Sequence, residues 1–199
     1  MQALSDVRVA VLATDGFEES ELTSPVRALR EAGADVTIVS LRPGQIQGFK
    51  HDRSGAKVKV DCLIGGANPE DFDAVVLPGG TMNADAMRTV PDVQSFLQAM
   101  DEAGKPIAAI CHGPWELVSA DLVRDRTLTS YPTIQDDIRN AGGKWVDEEC
   151  VVDGPIITSR CPDDLPAFTQ AILRTVSGEG AKGSKGKPIA PAWLKETLE

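Results

Sequence analysis

The sequence predicts an α/β fold built on a mainly parallel sheet, and three observations carry that prediction. Apolar, β-branched runs of strand length recur at 7–14, 35–41, 72–80 and 106–110. Segments with helical spacing of apolar residues lie between them, so the chain alternates strand and helix. Glycines mark the junctions: Asp15-Gly16, Gly33, Gly79-Gly80, Gly104 and Gly113.

Taken in order, "VRVAVLAT" (7–14) reads as a strand, and Leu22, Val26, Leu29 and Ala32 recur at helical spacing up to Gly33. "DVTIVSL" (35–41) returns to strand and completes a βαβ unit. The tract 44–61 reads as a short two-stranded excursion on an edge. "FDAVVLPGG" (72–80), a helix near 91–103, "PIAAI" (106–110) and a helix after Gly113 repeat the rhythm. A helix is expected after Pro132, a hairpin over 144–159 turning at Asp153-Gly154, and a closing helix over 163–177. Residues 1–177 therefore read as one domain. The Gly/Lys/Ser/Pro-rich stretch from Gly178 reads as a linker, followed by a short amphipathic end in which Trp193 and Leu194 either fray or dock.

Composition narrows the function. The 199 residues carry a formal net charge of −10, which disfavours nucleic acid and anionic membrane surfaces as partners. No apolar run approaches the roughly 20 residues that span a bilayer, and the N-terminus lacks the pattern of a secretion signal, so a cytoplasmic protein is expected. Cys62, Cys111, Cys150 and Cys161 lack metal-ligand spacing and read as thiols. With His51 and His112 as the two histidines and no nucleotide-type glycine fingerprint, no metal or organic cofactor is implied.

Reactive groups of a parallel sheet collect at the carboxyl ends of its strands. Three strand ends deliver chemistry here: Asp15-Gly16 with Glu18, Glu19 and Glu21; Gly79-Gly80; and Cys111-His112 in "PIAAICHGPW". A cysteine in a sharp strand-to-helix turn is an exposed nucleophile, favoured as thiolate by the helix start. His112 is adjacent, but consecutive side chains at a helix start point about 100° apart and do not face each other. Glu21 is therefore the expected partner: a carboxyl kept neutral by an apolar site can donate a hydrogen bond to a thiolate. Gly79 and Gly80, with the N–H of His112, could form an oxyanion hole. His51 reads as a solvated edge residue.

Together "DGFEESELTSPV", "NPEDFDAVVLPGG", "AICHGPW", "TSYPTIQDDIRNAGGKWVD" and "VVDGPIITSR" resemble the PfpI family of intracellular cysteine peptidases. That family sits in the class I glutamine amidotransferase-like superfamily, with the parkinsonism-associated protein deglycase and glyoxalase III enzymes. The resemblance runs through 7–176. It implies a flavodoxin-like sandwich, a mainly parallel sheet with helices on both faces, with Cys111 as nucleophile at a strained elbow and Glu21 beside its sulfur. It also implies a homodimer or larger homo-oligomer in which an acid of a neighbouring subunit orients His112. The candidate acid, Asp85, stands one position beyond where a family glutamate usually falls.

Two function classes follow. In one, Cys111 attacks a carbonyl, of a small reactive aldehyde, a glycated protein or a peptide, as a hydrolase with a stress-protective role. In the other, the thiol is oxidised to sulfenic and sulfinic acid and the chain is a redox-responsive stress protein. A chaperone-like dimer is a further class, for which the sequence offers no dedicated surface.

Overall fold

The computed structural model describes residues 4–179. In chain order its elements are β1 (Arg8–Leu12), β2 (Phe17–Glu18), α1 (Glu19–Glu31), β3 (Asp35–Ser40), β4 (Gln45–Lys50), β5 (Arg53–Lys59), β6 (Cys62–Leu63), β7 (Ala74–Leu77), α2 (Thr81–Arg88) and α3 (Pro91–Glu102). There follow β8 (Ile107–Ile110), α4 (Pro114–Ser119), β9 (Thr127–Leu128), α5 (Gln135–Asn140), β10 (Lys144–Trp145), β11 (Cys150–Asp153), β12 (Ile156–Ser159) and α6 (Leu165–Val176).

Seven strands form one sheet in the order β11-β12-β8-β7-β1-β3-β6, parallel throughout except for the edge strand β11. β7, β8 and β12 are buried at every residue, which is why they read as unbroken apolar runs. Alternate residues feed opposite layers. Val9, Val11, Val76, Ala108 and Ile110 pack with Leu22 and Leu29 of α1 and Phe168 and Ile172 of α6. Ala10, Leu12, Val75, Leu77, Ile107 and Ala109 pack with Phe96, Leu97 and Met100 of α3, Leu117 of α4 and Ile138 of α5. Helices thus cover both faces of a mainly parallel sheet, the flavodoxin-like sandwich expected. Among the described residues no helix is long and apolar enough to cross a membrane.

Two local expectations need correction. The 44–61 tract forms an antiparallel hairpin, β4–β5, but it joins β2 in a separate three-stranded sheet instead of extending an edge of the main sheet. Where β2 pairs with β4, the Phe17 ring lies 2.7 Å from the position a Cβ on Gly48 would take, so only glycine lets the two strands close. The hairpin expected over 144–159 begins at Cys150, because Lys144 and Trp145 pair in parallel with Thr127 and Leu128. Residues 81–88, to which the sequence pattern assigns no element, are helical. At the far end, α6 is capped by Gly178 at φ 77°, whose N–H donates to Thr175 O. The remainder of the expected linker, with Trp193 and Leu194, lies outside the described residues.

β1 lies between β3, which follows it in the chain, and β7, to which the chain crosses back. This reversal opens a crevice at the carboxyl ends of β1, β7 and β8. All three chemistry-bearing segments arrive there.

Candidate active site

Each segment is held by backbone groups. The turn after β1 is tied to the hairpin by Gly16 N–H donating to Gln47 O and by Gln47 N–H donating to Asp15 Oδ1. The turn after β7 is tied to β1 by Asn83, which is fully buried: its amide donates to Pro78 O and Gly79 O, and its Oδ1 accepts from Thr14 N–H. After β8, Cys111 N–H donates to Ser159 O at the end of β12.

Cys111 has φ 62°, in the left-handed region that a β-carbon disfavours by about 1–2 kcal/mol. That conformation makes the elbow. The helix that follows contributes little to the thiol, since α4 has six residues and opens on Pro114, which has no N–H. The sulfur is approached instead by the N–H groups of Gly80 and His112.

Glu21, in the first turn of α1, has no exposed surface. Its Oε2 accepts from Gly79 N–H at 2.8 Å, and the carboxyl reaches the Cys111 side chain. Among the described residues Oε1 has no hydrogen-bond partner. Burial pushes this carboxyl up to about 8, against the opposing pull of the Gly79 N–H. Burial pushes the Cys111 thiol up as well, and a charged Glu21 would push it further. At neutral pH the proton sits on Glu21, so that charge is absent and the carboxyl is a donor to sulfur.

The geometric objection to a Cys–His contact fails. His112 Nδ1 lies 3.2 Å from Cys111 Sγ, because the left-handed backbone at Cys111 breaks the spacing of side chains assumed for a regular helix start. The imidazole is stacked on Tyr131 at 4.9 Å and meets Trp115 edge-on at 5.3 Å. Its Nε2 has Thr81 Oγ1 at 3.4 Å and Thr133 Oγ1 at 3.5 Å. Burial lowers its pKa and keeps it neutral at pH 7.

Gly79 and Gly80 divide the role expected of them jointly. Gly79 N–H is committed to Glu21, so the sulfur-facing donors are Gly80 and His112. Gly80, at φ 85°, has Gly16 and Phe17 backbone where a side chain would go. The site opens into a cleft of about 690 Å³ lined by Glu18, Thr81, Tyr131 and Cys161 besides the residues above.

A model of the DJ-1/PfpI family matches residues 7–175, from β1 to within α6. The chain belongs to the DJ-1/PfpI family. Protein/nucleic acid deglycase 2 of Escherichia coli is 43% identical over 168 residues, covering 84% of this chain and 96% of that one. General stress protein 18 of Bacillus subtilis is 40% identical over 167 residues, covering 83% and 95%. A two-domain Anabaena variabilis protein with DJ-1/ThiJ/PfpI-like and ferritin-like domains superposes with a TM-score of 0.82 at 39% identity, over 89% of this chain. This chain spans half the length of that protein.

Within this DJ-1/PfpI chain, Asp85 is exposed on α2, one turn beyond Thr81, and is not a hydrogen-bond partner of the His112 ring. His51 is exposed, as expected, at φ 57° in the β4–β5 turn, yet it also lines the cleft. Its N–H donates to Glu18 Oε2, and Glu19 receives Ala56 N–H and pairs with Lys50 Nζ at 3.3 Å. Glu18 and Glu19 thus fasten the hairpin while Glu21 lies against the Cys111 side chain. Sequence reasoning missed Thr81, Asn83, Tyr131 and Thr133. The signal for Asn83 was its place three residues after a Gly-Gly strand end, where a buried amide can satisfy open backbone groups.

Proposed function

We propose that the chain is a cysteine-dependent hydrolase of the cytoplasm, acting on small reactive carbonyls and their protein adducts or on peptides, with a stress-protective role. The observation that carries this reading is the convergence of Glu21, Cys111 and the His112 ring on the floor of one cleft. The names of the relatives, a deglycase and a general stress protein, support it.

In the aldehyde route, Cys111 Sγ bonds to the carbonyl carbon and the thiol proton passes to the carbonyl oxygen, giving a hemithioacetal. The N–H groups of Gly80 and His112 face the sulfur and can hold the oxyanion as it forms. The neutral imidazole, with Nδ1 at the sulfur, then moves a proton between the two adjacent carbons of a ketoaldehyde, leaving a thioester. Water cleaves the thioester to a hydroxy acid and restores the thiol. In the peptide route the imidazole takes the thiol proton as Sγ attacks the carbonyl carbon and passes it to the departing amine, and water then cleaves the thioester to the acid and the free thiol.

Self-association belongs to this reading: a homodimer or larger homo-oligomer, in which Asp85 of a neighbouring copy approaches His112. Methylglyoxal, its lysine and cysteine adducts, and fluorogenic peptides, each offered to wild type and Cys111→Ser, test the proposal. Turnover of at least one class by wild type, abolished in the variant, is expected. No turnover of any of them by pure wild type overturns it.

A second reading, oxidation of Cys111 in place of turnover, is favoured by three donors around one sulfur: Gly80, His112 and the protonated Glu21. Peroxide sensitivity of Cys111 no greater than that of Cys62 would remove it.

A further inference from the structure

The cleft holds a second cysteine. Cys161 lines it together with Cys111, two residues past the end of β12. β8 and β12 are neighbours in parallel register, their last pair being Ile110 with Ser159, and Cys111 N–H continues the ladder to Ser159 O at 3.0 Å. Continued one step, the register sets Cys111 beside Arg160, with Cys161 next. Strands about 4.8 Å apart with about 3.3 Å rise per residue put such a diagonal pair of Cα atoms about 6 Å apart. A disulfide bridges Cα atoms about 4.4–6.8 Å apart.

Side-chain direction agrees. Strict alternation would turn residue 111 away from the face shared by Ile110 and Ser159. The left-handed backbone of Cys111 cancels that alternation, and its side chain packs in the same layer as Ile110 and Ile157. Cys161 has extended backbone, φ −164° and ψ 175°, and a half-buried thiol at the cleft wall. Its thiol donates to Asp164 Oδ2 at 3.7 Å, a carboxylate that Arg160 grips with two guanidinium nitrogens at 2.8 and 2.9 Å, and the backbone N–H of Asp163 faces the sulfur. Asp164 is thus also engaged by Arg160, and its contact with the thiol is long.

We propose that Cys161 is the resolving thiol of Cys111, closing an intramolecular disulfide across the mouth of the cleft when the protein meets a peroxide. The Cys111 thiolate attacks one peroxide oxygen, the O–O bond breaks, and Cys111 sulfenic acid and hydroxide form. The Cys161 thiolate then attacks the Cys111 sulfur, forming the S–S bond and expelling a second hydroxide. Over both steps two thiols lose two electrons and two protons to hydrogen peroxide, giving a disulfide and two waters. A dithiol reductant reverses it. The device reaches beyond both readings above: it closes the cleft reversibly and intercepts the sulfenic acid before it becomes sulfinic acid.

The test uses no substrate, so its outcome is independent of the hydrolase reading. The full-length protein is treated with graded hydrogen peroxide, blocked with iodoacetamide and digested with trypsin. Cleavage after Arg88, Arg124, Lys144, Arg160 and Arg174 leaves Cys111, Cys150 and Cys161 on three different peptides, 89–124, 145–160 and 161–174, since Lys105 precedes proline. The expected product is peptide 89–124 linked to 161–174, released by dithiothreitol and absent in Cys111→Ser. In Cys161→Ser and Cys161→Ala, Cys111 should instead advance to sulfinic acid at several-fold lower peroxide and fail to recover on reduction. Linkage of 89–124 to 145–160, linkage between two copies of the chain, or equal sulfinic acid formation in wild type and both variants would overturn the proposal.

Discussion

Gly79 stands between Glu21 and Cys111 with no room for a side chain: a Cβ there would lie 2.5 Å from Glu21 Oε2 and 2.6 Å from Cys111 Cβ. The contact between carboxyl and thiol thus depends on a residue that takes part in neither proton transfer nor attack.

Replacing Gly79 with alanine should displace one of the two side chains. A misplacement of about 1 Å is worth about 100-fold in rate. Turnover in Gly79→Ala should fall at least that far while the circular dichroism spectrum stays native. Activity within a few-fold of wild type would show that the pair tolerates separation.

Glu21→Leu removes the donor to sulfur. The pH midpoint for alkylation of Cys111 by iodoacetamide should rise, whereas Glu21→Gln, which keeps an N–H donor, should shift it less. Superimposable profiles for wild type and the leucine variant would take Glu21 out of the mechanism.

Glu21 also predicts a pH dependence of stability. Its carboxyl ionises near 4.5 in the unfolded chain and near 8 in the folded one. Between those values the folded state binds the extra proton, so its stability is full below 4.5, declines as pH rises to about 8, and is level above it. The loss attributable to this group is on the order of 5 kcal/mol. Denaturant titrations from pH 4 to 9 should show that slope in wild type and a flatter one in Glu21→Gln.

Glu116, in α4, is 1% exposed and neither of its carboxyl oxygens has a hydrogen-bond partner among the described residues. Burial raises its pKa well above the ordinary carboxylate range. An unpartnered buried polar group costs about 1–3 kcal/mol. Glu116→Met, which keeps the shape of the stem, should therefore raise the melting temperature, by more at pH 8 than at pH 5. A lower melting temperature at both values would indicate an interaction that the single chain does not make.

The layers of the fold were legible because both faces of β7, β8 and β12 are buried, which leaves an unmistakable apolar run. Cys111 and Glu21 were legible from their places at strand ends. The Cys111–His112 contact was not, because it depends on a positive φ at a residue with a β-carbon, and hydrophobic periodicity does not encode backbone handedness. α2 was obscured for a related reason: its start follows Gly80 at φ 85° without a capping side chain, so the usual signals of a helix N-terminus are missing. Glu116 escaped notice because a charged residue on a short helix reads as surface, while neighbouring α2, α3 and α5 close over it.

The tract Glu18-Glu19-Ser20-Glu21 spreads its three carboxyls over two structures, the first two on the hairpin and the last on the turn after β7 that lies against Cys111. The rim of the cleft and its reactive floor are consequently riveted to the same four residues. A change in the hairpin is therefore expected to shift Glu21, and with it the surroundings of the Cys111 sulfur, even where it touches neither residue.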